Sequence, residues 1–145
     1  MKALLAILLL LVSISTADAP DVPKLPNQKD FNCLVKNIYM ESRGEKTEGK
    51  IAVGIVTMNR LRHINYPKTL CKVVYQRKQF SWTNKTLEKQ PINVKEWEQS
   101  VDAAYIAFNS KENFSATHYH NLTINPFWTK NKVLLTVIDN HKFYQ

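Results

Sequence analysis

The hydrophobic positions in the first part of the domain recur at helical spacing. One set lies three or four residues apart along the chain: Phe31, Leu34, Val35, Ile38 and Tyr39. This set predicts an amphipathic helix over residues 31–42, with Asp30 as its cap. The next apolar run, residues 51–58, is hydrophobic on nearly every side, so it predicts a central helix over residues 47–61. Gly54 inside that run predicts a close contact between helices, since glycine otherwise weakens a helix.

The rest of the chain combines two further helices with strand-like segments. A short helix is predicted over residues 69–75 and a longer one over residues 96–108, whose apolar side chains share one face. Residues 116–121 alternate in a way that predicts a strand or hairpin. The β-branched run that begins at residue 133 predicts a strand that closes the domain near Tyr144. This pattern is typical of an α+β domain that is mostly helical and has a small β-sheet.

The first residues carry a different hydrophobic pattern. Lys2 precedes an unbroken apolar run, residues 3–12, and small and polar residues follow it. These three parts predict a secretory signal peptide over residues 1–17, which is removed when the protein is exported. An uncleaved anchor is the alternative, but the run is shorter than the roughly 20 residues of a membrane span. Three prolines predict an extended spacer over residues 18–30, which leaves residues 31–145 as the folded domain.

The charge balance points to an acidic partner. The chain has 20 lysines and arginines against 12 aspartates and glutamates, and removing Lys2 with the signal peptide leaves a net charge of +7. An exported basic protein is suited to an acidic polymer such as cell-wall glycan with its attached carboxylates. The basic residues are spread along the chain and form no run of five, so we expect no specific nucleic-acid binding.

The cysteines and histidines bear on a disulfide and on a metal site. Cys33 and Cys71 predict one disulfide, since an exported chain meets an oxidising environment. His118 and His120 would face the same side of the predicted strand. A zinc site needs at least one more ligand, and the sequence contains neither an H-E-x-x-H motif nor a cysteine cluster. We therefore expect no metal and no cofactor.

The stretch from Tyr39 to Glu45 holds the candidate chemistry. Glu41 and Glu45 lie four residues apart at the end of the first predicted helix, with Gly44 between them. The two carboxylates lie on one helical face, or the helix ends at Gly44 and Glu45 sits just outside it. A glutamic acid held against an apolar segment can stay protonated near neutral pH, as a glycosidase acid requires. On these seven residues alone, two solvated charges are the simpler interpretation, because glutamates are mostly exposed.

Several motifs in the same order resemble the bacterial and phage cell-wall hydrolases of the spore-cortex-lytic (SleB) type. Residues 33–45, with Glu41 and Glu45, resemble the first signature of that family, and residues 49–60 resemble the second. Residues 66–82 and 118–144 continue the resemblance, which covers nearly all of the predicted domain. It is far more specific than one pair of glutamates.

The resemblance implies a lysozyme-like, mostly helical fold and cleavage of the β-1,4 bond between N-acetylmuramic acid and N-acetylglucosamine. It implies Glu41 as the catalytic acid and Glu45 as a second catalytic glutamate. We expect four residues from the matching motifs to bind the substrate: Gln79, Trp82, Tyr119 and Asn121. A core role for Trp82 is an equal alternative. The expected protein is an exported monomer that acts on peptidoglycan glycan strands and does not insert stably into a membrane.

Three other hypotheses remain at this stage. The family usually acts as a lytic transglycosylase, which needs one carboxylate, but a hydrolase that pairs Glu41 with Glu45 is a close alternative. A secreted glycan-binding domain would bind the wall without cleaving it. A metal-dependent wall amidase would use His118 and His120.

Overall fold

The computed structural model describes residues 27–84 and 93–145. The predicted signal peptide over residues 1–17 and most of the predicted spacer lie outside the described residues. The helices are α1 (Gln28–Ser42), α2 (Thr47–Arg62), α3 (Leu70–Val74) and α4 (Val94–Asn109), and the strands are β1 (His118–Asn121), β2 (Leu134–Ile138) and β3 (His141–Tyr144). Short 3₁₀ turns cover Ser81–Asn84 and Phe127–Asn131. Within the described ranges, no helix has the length and hydrophobicity needed to cross a membrane.

Helix α1 begins earlier than its hydrophobic pattern predicts. Its N-cap is Asn27, whose side chain accepts a hydrogen bond from the Asp30 backbone N–H at 2.9 Å. Residues 28–30 are therefore helical, and their assignment to the extended spacer is wrong. Asp30 serves a different purpose, because its carboxylate accepts a hydrogen bond from the Cys71 backbone N–H of α3 at 3.2 Å.

Helix α2 lies at the centre of the domain, as its apolar sequence predicts. It packs against α1 and α4, and Val53 and Val56 are fully buried. At Gly54, an added Cβ would lie 2.7 Å from Ala107 Cβ of α4 and 2.9 Å from Ile38 Cδ1 of α1. This spacing leaves no room for a side chain, so the predicted close approach at Gly54 is confirmed.

The C-terminal segment forms a hairpin instead of one closing strand. The sheet order is β1-β3-β2 and both pairs are antiparallel, with Tyr119 of β1 opposite Phe143 of β3. A tight turn at Asp139 and Asn140 joins β2 to β3, and Asp139 has a left-handed φ of 48°. Aspartate tolerates this conformation better than most residues do. Strand β3 is thus the buried centre of the sheet.

The disulfide between Cys33 and Cys71 ties α1 to α3, as predicted, with a Cα–Cα distance of 5.2 Å. Cys33 lies in the first half of α1 and Cys71 lies in α3. The crosslink therefore anchors the helix that carries Glu41.

Candidate active site

The end of helix α1 determines where the two glutamates lie. Ser42 is the last helical residue, and its hydroxyl donates to the Ile38 carbonyl at 2.6 Å. Gly44 then takes a left-handed φ of 83°, which turns the chain away from the helix axis. Glu41 consequently lies in the last turn of α1, while Glu45 lies outside the helix. Of the two local structures that the sequence allows, the structure has the one in which the helix ends before Gly44.

Glu41 is partly buried and hydrogen-bonded at its carboxyl group. Its Oε2 accepts a hydrogen bond from the Tyr119 hydroxyl of β1 at 3.0 Å. Burial raises the pKa of Glu41 above its ordinary value, and the Tyr119 hydrogen bond and the Arg60 charge lower it in part. Because burial has the largest effect, the Glu41 carboxyl keeps its proton to higher pH than a solvated glutamate. This is the property required of a general acid.

Tyr119 is positioned by an aromatic cluster. Its ring lies 5.3 Å from the His141 ring, 5.7 Å from the Phe143 ring and 6.5 Å from the Phe80 ring. Burial is the main reason that the pKa of Tyr119 is raised well above that of a free phenol. The hydroxyl therefore stays protonated and can donate to the ionised Glu41 carboxylate.

Replacing Tyr119 by phenylalanine should remove the donor and leave the packing of the ring unchanged. A hydrogen bond to a charged group contributes about 1.5–3 kcal/mol, which corresponds to about a 10- to 100-fold lower rate of the glycan cleavage that the resemblance implies. Since this bond lowers the pKa of Glu41, its loss should also move the alkaline limb of the pH–rate profile to higher pH. Initial rates on purified peptidoglycan across a pH series would measure both effects.

Tyr105→Phe is the matched control, because Tyr105 lies exposed on α4. Its profile should superimpose on that of the unmodified protein. Equal profiles for Tyr119→Phe and Tyr105→Phe would show that the Tyr119 hydroxyl has no role.

Glu45 is hydrogen-bonded to the β2–β3 turn. Its Oε2 accepts from the Asn140 backbone N–H at 3.2 Å and its Oε1 accepts from Asn140 Nδ2 at 3.1 Å. His141 Nδ1 lies 3.7 Å from Oε1, and only 6% of the Glu45 side chain is exposed. These contacts make Glu45 a brace between the α1–α2 connection and the hairpin.

The structure corrects the assignment of Trp82. Its residue exposure is 3%, its indole Nε1 donates to Asn37 Oδ1 at 3.3 Å, and it packs with Val74 and Phe80 in a small hydrophobic cluster. A ring buried in this way has no face available for a sugar, so the prediction that Trp82 binds substrate is wrong. Trp82 supports the site indirectly, because Tyr119 packs against the same cluster.

Gln79 and Asn121 differ in whether their side chains form hydrogen bonds within the part of the chain that the structure describes. Gln79 is partly exposed and follows Lys78, whose left-handed φ of 64° turns the chain. The Oδ1 atom of Asn121 accepts from the Thr123 backbone N–H and hydroxyl, both at 2.9 Å. The amide oxygen of Asn121 is thus used in a local turn, whereas Gln79 keeps its position as a candidate substrate contact.

Arg60 is a part of the site that sequence reasoning did not assign. It is 5% exposed on α2, and its Nε donates to the Thr117 carbonyl at 2.7 Å, just before β1. The signal was available in the helical periodicity, because Arg60 follows the buried residues Val53 and Val56 by seven and four positions. A cation on the buried face of a central helix is rare unless it is paired or functional.

The two histidines of β1 are engaged in hydrogen bonds. His120 Nδ1 lies 2.8 Å from the Asn121 carbonyl and its Nε2 lies 2.9 Å from the Tyr144 hydroxyl. His118 Nδ1 lies 2.9 Å from the Thr117 hydroxyl, and burial with nearby cations lowers the pKa of His118 to about 4. The described residues contain no group of three or more histidine, cysteine, aspartate or glutamate residues placed to hold a metal ion. The metal-dependent amidase hypothesis therefore gains no support from the geometry of these side chains.

Comparison with curated proteins points to spore cortex-lytic enzymes. The enzyme of Oceanobacillus iheyensis is 34% identical over 61 residues, which make up 42% of this chain and 22% of the relative. The enzyme of Bacillus cereus is 27% identical over 95 residues, which make up 59% of this chain and 37% of the relative. The chain thus spans between about a fifth and two fifths of the length of these relatives.

Solved structures share the fold over almost the whole described domain. The catalytic domain of the Bacillus cereus SleB protein matches with a TM-score of 0.72 and 25% identity, covering 88% of this chain and 98% of that one. The catalytic domain of SleB from Bacillus anthracis, a germination-specific lytic transglycosylase, matches with a TM-score of 0.71 and 26% identity, covering 86% and 100%. The fold is therefore that of the SleB catalytic domain.

The family model described as Cell Wall Hydrolase matches residues 44–144, which is more than half of the chain. The matched range contains Glu45 and Tyr119 but begins after Glu41, so the position of Glu41 rests on the structure described above. The family match and the shared fold agree with each other. This protein belongs to the cell wall hydrolase family and is of the SleB type.

Proposed function

We propose that this protein cleaves the β-1,4 bond between N-acetylmuramic acid and N-acetylglucosamine in peptidoglycan, acting as a lytic transglycosylase. Glu41 is the general acid and then the general base. The observation that carries the proposal is the partly buried Glu41 carboxyl, whose pKa is raised by burial and whose Oε2 accepts from Tyr119. The description of the Bacillus anthracis relative as a lytic transglycosylase supports this choice of reaction.

The reaction needs one protein carboxyl group. Glu41 gives its proton to the glycosidic oxygen as the bond from that oxygen to muramic C1 breaks. The C6 hydroxyl of the same sugar then attacks C1 and returns its proton to the Glu41 carboxylate. The products are a 1,6-anhydro sugar and a free hydroxyl on the leaving sugar. Glu41 ends the cycle protonated, and no water is consumed.

The hydrogen bonds of Glu45 support a reaction that uses Glu41 as its one catalytic carboxyl group. A retaining glycosidase places its second carboxyl about 5–5.5 Å from the first, facing the substrate. Both Glu45 oxygens accept hydrogen bonds from Asn140 in the hairpin turn, which engages this carboxylate in the fold. We therefore propose Glu45 as a positioning residue that holds the chain after Glu41 against β3, and not as a nucleophile.

The positive charge of the chain is suited to binding an acidic wall polymer. The predicted mature chain has a net charge of +7, while peptidoglycan carries peptide carboxylates. Gln79 and Tyr119 are the expected contacts near the cleaved bond. The relatives are spore cortex-lytic enzymes, so we propose that this protein is exported to reach a wall. We also propose that it works as a monomer.

A digest of purified peptidoglycan tests this function directly. Mass spectrometry of the soluble fragments should find 1,6-anhydromuramic ends, each lacking one water relative to a hydrolysed end, and EDTA should leave the yield unchanged. Reducing muramic ends would indicate a hydrolase. Binding of sacculi without release of fragments would indicate a glycan-binding domain, and amide cleavage that EDTA abolishes would indicate an amidase.

A further inference from the structure

We propose that Arg60 is the fixed counter-charge for the ionised form of Glu41, so that it stabilises the negative charge that forms when Glu41 gives up its proton. This inference rests on the proposed role of Glu41 as the acid. Arg60 does not touch the reacting atoms, so it is a positioning residue. It acts through the field of a cation that is held in one place.

The guanidinium of Arg60 is fixed on three sides. Its Nε donates to the Thr117 carbonyl at 2.7 Å, and its central carbon lies 5.2 Å from the Phe80 ring centroid and 5.7 Å from the Tyr66 ring centroid. Only 5% of the Arg60 residue is exposed to solvent. A planar guanidinium between aromatic rings is well suited to such a fixed position.

The same contacts link Arg60 to Glu41. Phe80 packs on Arg60 from one side and faces the Tyr119 ring at 6.5 Å on the other. Tyr119 then donates to Glu41 at 3.0 Å. Thr117, which accepts from Arg60, lies two residues before Tyr119 in the chain. Arg60 therefore fixes both the backbone and the aromatic support of the residue that holds the Glu41 carboxyl.

Arg60 lacks a charged partner within the described ranges. None of the ion pairs found there involves it, and its Nη1 is buried without a hydrogen-bond partner. A buried unpaired charge normally destabilises a fold by several kcal/mol. The Arg60 charge lowers the pKa of Glu41. The missing counter-ion is thus supplied when Glu41 ionises.

The fixed position of Arg60 favours the step in which Glu41 loses its proton and becomes negatively charged. While Glu41 is protonated, the Arg60 cation is uncompensated. As the proton moves to the glycosidic oxygen, the growing carboxylate charge meets a cation that is already in place. A preorganised charge of this kind lowers the barrier because no group has to reorient during the reaction.

Other titratable groups near Glu41 and Arg60 leave this pairing intact at neutral pH. Tyr119 of β1 stays neutral because burial raises its pKa. His118 of β1 is neutral above its pKa of about 4, and burial also lowers the pKa of His141 on β3. Glu45 and Asp139 act on His141 from the hairpin side, and Lys132 acts on His118. Arg60 is therefore the permanent charge that acts on Glu41.

The experiment compares Arg60→Gln with Arg60→Lys, using full-length protein. Carbon-13 NMR titration of the Glu41 carboxyl should show a higher pKa in Arg60→Gln, and the alkaline limb of the pH–rate profile should move to higher pH by the same amount. The rate at neutral pH should fall about tenfold or more, in line with the loss of a preorganised charge. Arg60→Lys keeps the positive charge, so the pKa of Glu41 in this variant should stay close to its value in the unmodified protein. Arg62→Gln, at an exposed arginine two residues further on, is the control and should change neither measurement.

A purely structural role for Arg60 predicts the opposite sign. Loosening the site would expose Glu41 to water, remove the effect of burial and lower its pKa. A lowered or unchanged Glu41 pKa in Arg60→Gln would overturn the proposal. If that variant does not fold, the neutral isostere Arg60→citrulline replaces it in the same titration. The NMR titration measures the pKa of Glu41 without any turnover, so its result does not depend on the proposed catalytic activity. The proposed function has a separate test and fails if Glu41→Gln keeps full activity.

Discussion

Replacing Glu41 by glutamine is expected to lower the rate of peptidoglycan cleavage by about 10²- to 10⁴-fold, the usual contribution of general acid–base catalysis. The amide has almost the same shape and can still accept from Tyr119, but it cannot give a proton to the leaving oxygen. Release of soluble muropeptides from purified sacculi, followed over time, measures the loss. Glu98→Gln, at an exposed glutamate on α4, is the matched control and should cleave at the unmodified rate.

The stability of Glu41→Gln separates a lost proton donor from a damaged fold. The pKa of Glu41 is raised in the folded protein, so the folded state binds this proton more tightly than the unfolded state does. This contribution to stability is present at pH below the unfolded pKa and is lost as the pH rises through the folded pKa. The neutral amide avoids that loss, so the Tm of Glu41→Gln should equal or exceed that of the unmodified protein at neutral and alkaline pH. An inactive variant with a much lower Tm would not support the assignment, and a fully active one would refute it.

Replacing Lys50 by methionine should have the largest effect on stability. Lys50 is fully buried, and its Nζ donates to the carbonyls of Ser42 at 3.0 Å and Glu45 at 2.8 Å and to Glu96 Oε2 at 2.9 Å. Methionine fills a similar volume but leaves all three acceptors without this donor. Breaking a buried ion pair by removing one partner destabilises a fold by about 3–5 kcal/mol, and we expect the lower end here because 22% of the Glu96 side chain is exposed. Urea unfolding at neutral pH would measure the change.

Cleavage activity should fall together with stability in Lys50→Met. Lys50 holds the chain between Ser42 and Glu45, which is the segment that directly follows Glu41. The control is Lys46→Met, because Lys46 is exposed four residues earlier and its side chain can be replaced without loss of a buried contact. We call the three hydrogen bonds of Lys50 Nζ, to Ser42, Glu45 and Glu96, the Lys50 clamp. If the free energy of unfolding of Lys50→Met lies within about 1 kcal/mol of that of the unmodified protein, the clamp does not stabilise the fold as proposed.

The same clamp predicts a pH dependence. The hydrogen bond from Lys50 is the largest cause of the lowered pKa of Glu96, and the Gly44 backbone N–H adds to it. A lowered acid pKa contributes stability above the unfolded pKa, and this contribution is lost as the pH falls through the folded pKa. Stability should therefore depend less on pH in the acid range in Lys50→Met than in the unmodified protein.

Elements with a strong local pattern could be predicted from the sequence. The four helices follow from apolar spacing, and Gly54 was correctly expected at a close helix contact. The pairing of Cys33 with Cys71 needed only their number and an oxidising compartment. Local signals that were misread also explain the errors in the fold. Asn27 caps the first helix in place of Asp30, and Asp139 with Asn140 forms a hairpin turn inside the predicted closing strand.

The candidate site was harder to predict, because burial depends on distant parts of the chain. The composition around Trp82 suits a sugar-binding groove as well as a core, and only packing against Val74 and Phe80 decides that it is core. Arg60 shows the reverse case. Arginines are mostly exposed, yet the Thr117 carbonyl and two aromatic rings hold Arg60 inside the domain.

The sequence by itself determined the helical scaffold, the disulfide, the family resemblance and the two candidate glutamates, since each depends on residue type and short-range spacing. Only the tertiary structure decided which glutamate is suited to act as an acid. The proton affinity of Glu41 depends on burial, on Tyr119, which lies 78 residues away in the chain, and on the charge of Arg60. Glu45, four residues further on, is directed instead to Asn140 and so braces the hairpin. Desolvation and hydrogen bonding act through space, and no local pattern in the chain records which distant groups will surround a carboxyl.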